Sequence, residues 1–431
     1  MTEKKLNIVI VGLGTIGTYL YKYLQKNKLF LKKKTNIIPN ILYVSARNIK
    51  KKRKINIPKS KWLKNYIDCV NNKNVDIVIE LIGGSEGAAK KLVFEALKNK
   101  KHVITANKAL IAKYGDQLSL IAEKNKVNLE FEAAVCGGVP IVRSIKESFI
   151  SNNITKVQGI FNGTSNYILS SMDKYNLSFD EALLKAQKLG YAERRPSSDI
   201  NGNDVSSKLK ILSALCFNSL INNNIYVEGI NSVDQIDINN ANKLGYKIKL
   251  LGVSEYKKKK ITQRVHPCLV KSSSYIASIN GVLNAVIING KPVGESIIQG
   301  EGAGPEPTTS ALISDLTSIM RGNIKYPFSI SNKERKKLKF DTISNQIFSA
   351  YIRLDVTDEH GVLSNITNSF AINRVSIKRL IQNPTKSKKF SSIIIITHKA
   401  KDSNLSSTIK SLATKKYIIK KPKLIRINEE N

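Results

Sequence analysis

The sequence predicts an α/β protein in three parts: a parallel-sheet domain, an α+β domain and a small βαββαβ domain. Three observations support this division. Short apolar segments alternate with helical segments up to about residue 131, longer helical patterns dominate from about residue 140, and strands return in the tail after a polar stretch. The length of 431 residues is enough for two or three domains with buried cores.

The first strand predicts a dinucleotide site. Residues 7–11 read NIVIV, which suits a parallel strand buried on both faces, and a glycine-rich turn and a helix follow directly. Glycines in this context allow a pyrophosphate to approach backbone amides at a helix N-terminus, so a Rossmann domain is favoured over an ordinary glycine-rich turn. The residues predicted to bind the cofactor here are Gly12, Gly14, Thr15, Ile16 and Gly17.

The end of the second predicted strand, residues 40–45, bears on the choice of cofactor. An acidic residue at this position would bind a free ribose hydroxyl, but the chain continues Ala46-Arg47-Asn48. A carboxylate would repel a ribose 2'-phosphate and an arginine would bind it. The sequence therefore predicts NADP(H) in preference to NAD(H), with Arg47 as a cofactor-binding residue.

Three later strand ends are rich in polar residues and glycine. Predicted strands at 75–81, 102–105 and 127–131 alternate with helices at 86–98 and 109–124, and ligands of such sheets bind outside the carboxyl ends of the strands. The segments at these ends are Ile82-Gly83-Gly84, Thr105-Ala106-Asn107-Lys108 and a stretch beginning at Glu132. Each could be an ordinary turn, but all three are expected on one edge of the sheet.

The central stretch 189–211, LGYAERRPSSDINGNDVSSKLKI, carries the strongest candidates for chemistry. Its second half predicts a helix, which sets Asp204 and Lys208 four apart on one face. Glu193 and Asp199 lie on the loop that leads into this helix, so carboxylates and an ammonium could converge on a small polar substrate. The alternative is a solvated ion pair of little energetic value, which is common in a lysine-rich chain.

Before the tail, strands are predicted at 247–254 and 261–267, and a glycine-rich turn at 299–309 enters a helix at 310–320. A polar segment at 323–341, which includes KERKKLK, then separates the tail from these elements. The tail then reads strand (347–356), helix (362–370), strand (377–383), basic turn, strand (391–398), helix (403–413) and strand. It has no cluster of catalytic groups, which favours ligand binding or dimerisation.

Composition restricts the class of protein. Seventy Lys and Arg against 33 Asp and Glu give a net charge of +37, but these residues are spread along the chain without an aromatic stacking ladder, so nucleic-acid binding is not expected. The sequence contains no run long and apolar enough for a membrane span, and a cytoplasmic location is expected. The four scattered cysteines suggest neither disulfides nor a zinc site.

Taken together, the motifs resemble homoserine dehydrogenase in its monofunctional form with a C-terminal ACT domain. The motifs that carry the resemblance, in order, are GLGTIG, ELIGG, VITANKALIA, FEAAVCGGVPIV, GIFNGTSNYIL, LGYAE with DINGNDVSSKL, EGAG before PTTSA, and YIRLDVTDEHGVLSNIT. The implied division is a Rossmann domain (1–135), a catalytic and dimerisation domain (136–322), a linker (323–344) and an ACT-like regulatory domain (345–425). The helix at 305–322 could pack back on the Rossmann domain.

The resemblance implies reversible, NAD(P)-dependent interconversion of L-aspartate 4-semialdehyde and L-homoserine in threonine and methionine biosynthesis. Lys208 is the implied acid-base group and Asp204 orients it, whereas Glu193, Asp199 and Lys108 bind the substrate. Burial or cationic neighbours should lower the pKa of a lysine used as a general acid, and Asp204 should oppose that effect.

Further implied features concern ions, the cofactor and assembly. The resemblance implies that the cofactor is also contacted by Lys108, Thr105 and Gly302. It further implies a monovalent cation, Na⁺, at Glu132, Val135, Gly137 and Val139. The family also implies a homodimer or homotetramer built through the middle domain, with threonine as a possible effector of the ACT domain.

The sequence departs from the family pattern beside Glu193, where Arg194 and Arg195 replace the residues usual after GYAE. The arginines either point into solvent or weaken the binding of a substrate ammonium. Two alternatives therefore stay open: another Rossmann oxidoreductase acting on a related semialdehyde, and a regulatory or nucleic-acid-binding protein that has lost catalysis. Against the first, an acylating enzyme needs a cysteine nucleophile, and Cys136 lacks an evident base.

Overall fold

The computed structural model of the chain describes residues 4–384 and 390–429. The basic turn predicted between two strands of the tail lies mostly outside these residues. Within them, no helix is long and apolar enough to cross a membrane.

A five-stranded parallel sheet forms the first part of the structure, as the alternating pattern predicted. Its strands are β1 (Lys5–Val11), β2 (Ile38–Ser45), β3 (Ile77–Glu80), β4 (His102–Thr105) and β5 (Leu129–Glu130). Its helices are α1 (Thr15–Thr35), α2 (Asp68–Asn71), α3 (Ala88–Lys98) and α4 (Lys108–Asn125). The strand order β2-β1-β3-β4-β5 reverses direction between β1 and β3, which is where such sheets bind ligands.

The middle part contains longer strands and the helices that carry the central stretch. The helices are α5 (Ile141–Arg143), α6 (Gly163–Tyr175), α7 (Phe179–Lys188), α8 (Ser197–Ile200), α9 (Asn203–Cys216), α10 (Gln235–Lys243), α11 (Tyr275–Ser278) and α12 (Pro305–Met320). The strands are β6 (Asn153–Ile160), β7 (Tyr226–Val227), β8 (Tyr246–Lys257), β9 (Lys260–Lys271), β10 (Leu283–Lys291) and β11 (Gly294–Glu301). Short helical turns lie at Lys59–Lys61, Glu132–Ala134, Ser144–Ser148 and Ile343–Asn345.

Four of these strands were not predicted. Strands β6, β7, β10 and β11 lie where the sequence favoured helices or gave no clear pattern. Strands β6, β10 and β11 are stabilised by pairing, because β10 lies between β6 and β11 and β6 also pairs with β8. Helix α12 returns to the first sheet, where Leu312 and Leu316 share an apolar cluster with Leu20 and Leu24 of α1.

The tail has the predicted order of strands and helices. It consists of β12 (Lys339–Phe340), β13 (Ile347–Thr357), α13 (Val362–Ile372), β14 (Ile377–Pro384), β15 (Phe390–Thr397), β16 (Ala400–Lys401), α14 (Asp402–Ala413) and β17 (Lys423–Ile427). Strand β17 pairs in parallel with β9, so one sheet runs β11-β10-β6-β8-β9-β17-β13-β15-β14 through the middle part and the tail.

The segment between the middle part and the tail is anchored to the rest of the structure at several points. The Phe328 ring is fully buried and lies 5.3 Å from the Phe131 ring, and the Arg335 guanidinium donates to the Ser219 carbonyl at 2.7 Å. Strand β12 then pairs with the start of β9. The polar composition of this segment predicts a linker, but a buried ring, a buried arginine and a short strand pairing anchor it.

Candidate active site

The glycine turn after β1 packs closely against protein backbone on one side and is open on the other. Gly12 has a φ of +107°, and a Cβ there would lie 2.4 Å from the Leu81 carbonyl oxygen; a Cβ on Gly17 would lie 2.0 Å from the Gly12 oxygen. Gly14, by contrast, has nothing within 4 Å of its Cβ position, and no side chain caps the N-terminus of α1 beside it. The open side of the turn therefore fits a dinucleotide pyrophosphate, which the helix N-terminus would stabilise.

The carboxyl ends of β3 and β4 are joined by buried hydrogen bonds. The Glu80 carboxylate accepts from the amides of Ile82 (2.7 Å) and Gly83 (2.9 Å), and the Thr105 hydroxyl donates to it at 2.5 Å. The Asn107 amide donates to the Gly84 carbonyl at 2.7 Å. The predicted grouping of the strand ends on one edge is therefore confirmed, although the sequence gave no role to Glu80.

Two arginines follow β2. Arg47 is exposed directly after the strand, where the ribose of a dinucleotide is expected. Arg53, which the sequence did not single out among its many basic neighbours, reaches back to donate to the Leu13 carbonyl at 2.9 Å and lies 5.5 Å over the Trp62 ring. This bond ties the basic loop to the glycine turn.

The carboxylate of Asp204 lies between two ammonium groups. Lys108 Nζ, at the start of α4, is 2.7 Å from Oδ1, and Lys208 Nζ, one turn further along α9, is 2.8 Å from Oδ2. Asp204 is 4% exposed and Lys208 8%, which excludes the solvated-pair alternative for these two residues. The sequence predicted the contact between Asp204 and Lys208, but only the folded chain brings Lys108 to the same carboxylate.

Asn162 connects this cluster to the loop before α9. Its side-chain amide donates to Asp199 Oδ1 at 2.7 Å and to Asp204 Oδ2 at 2.9 Å, and its oxygen accepts from the Ser165 amide to cap α6. Lys208 Nζ also donates to the Phe161 carbonyl at 2.6 Å. The sequence analysis missed Asn162; the signal available was its place before a helix within GIFNGTSNYIL.

The surroundings shift the pKa values of this cluster in opposite directions. Burial alone would raise the pKa of Asp204, but its two ammonium neighbours hold that pKa well below the usual range. Burial lowers the pKa of Lys208, yet the Asp204 carboxylate outweighs it, so the net shift is upward. Burial raises the pKa of Asp199. Lys208 is therefore an ammonium at neutral pH beside an ionised Asp204.

Known families match both parts of this site. A family model described as homoserine dehydrogenase matches residues 140–317, and a model described as the homoserine dehydrogenase NAD binding domain matches residues 12–132. The chain belongs to the homoserine dehydrogenase family. It is accordingly an NAD(P)-dependent oxidoreductase, and the two rival classes left open by the sequence are set aside.

Relatives support this assignment over the full chain. The homoserine dehydrogenase of Neisseria gonorrhoeae is 38% identical across 98% of this chain and 99% of its own, and that of Bacillus subtilis is 35% identical across 95% of each. Among solved structures, a homoserine dehydrogenase from Thiobacillus denitrificans has a TM-score of 0.91 at 34% identity, covering 99% of both chains. The one from S. aureus at pH 7.5 has a TM-score of 0.77 at 32% identity, also covering 99% of both.

The loop between α7 and α8, which carries Glu193, is largely exposed. Glu193 is exposed and is anchored through its main-chain carbonyl, which accepts from the Gln187 side chain at 3.1 Å. Arg194 and Arg195 are exposed as well, which agrees with the option that they point into solvent. Of the loop residues that the sequence singled out, Glu193 lies at the surface. Asp199 is joined through the Asn162 amide to Asp204 and its two ammonium partners, Lys108 and Lys208, which we call the lysine cluster.

The segment after β5 is buried. The Glu132 carboxylate accepts from the amides of Val142 (2.9 Å) and Arg143 (2.7 Å), and burial raises its pKa to about 7. Val135, Gly137 and Val139 are also buried. Over residues 4–384 and 390–429, no group of three or more His, Cys, Asp or Glu side chains could hold a metal ion. A cation beside Glu132 would therefore depend on main-chain oxygens.

Gly302, predicted to contact the cofactor, is buried against this segment. Its carbonyl oxygen would be 2.4 Å from a Cβ on Gly137, and a Cβ on Gly302 itself would clash with the Asn284 side chain. The Asn284 amide in turn donates to the Phe161 carbonyl, the same oxygen that accepts from Lys208. The EGAG turn, residues 301–304, is thus connected to Lys208 through Asn284 and the Phe161 carbonyl.

Proposed function

We propose that the enzyme reduces L-aspartate 4-semialdehyde reversibly to L-homoserine with NADPH, in the threonine and methionine branch of amino-acid biosynthesis, and that Lys208 supplies the proton. One observation carries the proposal: the buried Asp204 carboxylate lies between the ammonium groups of Lys108 and Lys208. A carbonyl reduction needs a proton donor held in a fixed position at the oxygen, and a buried lysine ammonium can serve as one.

The bound nicotinamide would supply the hydride to the aldehyde carbon. Lys208 then gives a proton to the carbonyl oxygen as negative charge develops there, and becomes a neutral amine. Its raised pKa favours the charged form before reaction, which suits the reduction, and Asp204 remains ionised and keeps the amine oriented. Lys108 is 42% exposed at the start of α4, so it can contact substrate from the cofactor side.

The substrate ammonium is assigned to the acidic groups on the loop before α9. Asp199 is fixed by Asn162 close to the lysine cluster, and Glu193 is at the surface of the same loop. Binding of the substrate would draw Glu193 toward Asp199. The exposed positions of Arg194 and Arg195 support tolerance of their charge. Replacing both by alanine should leave the KM for the semialdehyde within about threefold, as expected for exposed charges.

The preference for NADPH rests on the residues after β2. No carboxylate follows the strand, and the exposed Arg47 guanidinium suits a ribose 2'-phosphate. Gly12, Gly14, Thr15, Ile16 and Gly17 would hold the pyrophosphate, with Thr105 and Lys108 nearer the nicotinamide and Gly302 beneath it.

A monovalent cation, Na⁺, is proposed on Glu132 and on main-chain oxygens at Val135, Gly137 and Val139. Hard oxygen donors suit this ion, and left-handed backbone at Cys136 and Gly137 turns the chain sharply within the segment. The ion would hold the loop in place and take no part in proton transfer. Exchanging NaCl for tetramethylammonium chloride at equal ionic strength should lower the unfolding temperature; equal temperatures would argue against the site.

The tail is proposed to be an ACT domain with threonine as effector, and the enzyme a homodimer or homotetramer built through the middle part. The support is the βαββαβ order and the edge position of β14 and β11 in the long sheet. Because β17 pairs with β9, truncating the tail would uncover a central strand, so inhibition by L-threonine should be tested on the full chain. Sedimentation would give the oligomeric state. The cytoplasmic location stays a prediction.

The first test is NADPH oxidation by the purified enzyme given L-aspartate 4-semialdehyde, with NADH run in parallel. Rapid NADPH consumption that yields homoserine is expected. Faster turnover with NADH would contradict the cofactor preference, and NADPH binding without turnover would contradict the proposed reaction.

A further inference from the structure

A cavity of about 530 Å³ lies between the β8–β9 hairpin, the start of β13 and the residues that follow β17. We call it the hairpin cleft, and we propose that it binds a small multivalent anion of the oligophosphate class. Its volume is within the range of ordinary ligand pockets. It belongs to the second sheet, whereas the glycine turn that serves the dinucleotide belongs to the first, so it is a different site.

Two side chains of the hairpin cleft carry unused hydrogen-bonding atoms. Thr262 and Arg264 are two residues apart in β9, so their side chains lie on the same face of the strand. Thr262 is 7% exposed and Arg264 6%. Within the described part of the chain, Thr262 Oγ1 and Arg264 Nη1 are buried without a hydrogen-bond partner. Unsatisfied buried donors are rare and costly, so acceptor oxygens of a ligand seated here would be favourable.

The Arg264 guanidinium is held in a defined orientation. Its Nη2 atom donates to Glu255 at 2.9 Å, and its Cζ atom lies 5.4 Å from the centre of the Phe348 ring. These contacts fix the guanidinium and leave Nη1 without a partner among the residues that the structure describes. An arginine fixed in this way recognises phosphate or carboxylate oxygens with little further loss of side-chain entropy.

The charges that line the hairpin cleft favour an anion over a zwitterion. The three acidic residues are already engaged: Glu255 by Arg264, Asp341 by two side-chain amides, and Glu429 by the Ser349 hydroxyl and the Lys399 ammonium. An amino acid would need a free carboxylate for its ammonium group. The cationic residues that line the cleft are Lys156, Lys257, Lys258, Lys260, Arg264 and Lys399. Six cations against three carboxylates leave the lining net positive, which suits a chain of phosphates better than a single carboxylate.

The test is calorimetric titration of the full chain with inorganic tripolyphosphate, in the presence of saturating NADPH so that the dinucleotide site is filled. Binding that weakens with added KCl is expected. ATP run in parallel distinguishes the sources of the phosphate chain: equal affinity means that the phosphates alone are recognised, and tighter binding of ATP adds contacts to the nucleoside. L-threonine is the third ligand. Threonine binding that depends on Thr262, with no binding of tripolyphosphate, would overturn the proposal.

Variants then locate the site. Thr262→Val keeps the shape of the side chain and removes the hydroxyl, and it should weaken tripolyphosphate binding about tenfold or more, as expected for a hydrogen bond to a charged group. Arg264→Met should weaken it by about a hundredfold. Lys271→Ala, an exposed lysine at the far end of the same strand, is the control and should bind normally. Turnover of the semialdehyde verifies that each variant is folded. Unchanged binding in Thr262→Val and Arg264→Met, or equal weakening in Lys271→Ala, would refute the site.

Discussion

Removing the ammonium of Lys208 should abolish most of the turnover while the fold survives. In Lys208→Ala the Asp204 carboxylate keeps the Lys108 ammonium at 2.7 Å and the Asn162 amide at 2.9 Å, so no unpaired charge is left buried. General acid catalysis contributes about 10²–10⁴-fold to a rate. The expected loss in kcat is therefore about 3–5.5 kcal/mol of activation free energy.

A second variant separates charge from proton transfer. Lys208→Arg restores a cation beside Asp204 but cannot release a proton at neutral pH, so it should recover stability without recovering kcat. Lys210→Ala, on another face of the same helix, is the matched control, and its kcat should stay within about threefold of the wild type because its side chain lies away from the cluster.

The assay is steady-state NADPH oxidation with the semialdehyde, together with NADPH binding followed by fluorescence and thermal unfolding of each variant. Unchanged NADPH affinity with a kcat lowered by about a hundredfold or more is the expected result for Lys208→Ala. If Lys208→Ala instead keeps kcat within about tenfold while Lys108→Ala loses it, the assignment is wrong and the proton comes from Lys108.

Four other variants test the cofactor site, the pKa of the general acid and the docking of the tail. Arg47→Ala should raise the KM for NADPH about tenfold or more and leave that for NADH unchanged, as measured by parallel kinetics. Gly14→Ala should weaken NADPH binding without lowering the unfolding temperature, because its Cβ meets no protein atom within 4 Å. Oxidation of homoserine needs the neutral amine of the general acid, whose pKa is raised, so its rate should increase with pH; Asp204→Asn removes the attraction that raises this pKa and should move the rise to lower pH. Arg353→Ala leaves the fully buried Asp237 without its 2.7 Å partner and should cost about 3–5 kcal/mol in denaturant unfolding.

The local parts of the fold followed from local patterns. Strand β1, the glycine turn and α1 are encoded within residues 5–35, because hydrophobic runs and glycines determine the backbone there whatever lies elsewhere. The tail likewise has its predicted order. Strands β6 and β10 were missed because their stability depends on pairing with partners more than 90 residues away, which leaves little trace in the local sequence. Strand β11 forms a hairpin with β10 and joins the sheet through it.

The same distinction applies to the site. The spacing of Asp204 and Lys208 on one helix determined that their side chains could meet, since residues four apart share a helical face. The sequence could not determine that this pair is buried, that Lys108 reaches it from the first sheet, or that Asn162 joins Asp199 to it.

Motif identity and helical spacing were thus determined by the sequence alone, because they depend on neighbouring residues. Burial lowers the pKa of Lys208, but Asp204 on the same helix raises it by more, so the direction of that shift follows from local spacing. Burial of the pair was decided by tertiary structure, because it depends on which distant side chains exclude water from Asp204.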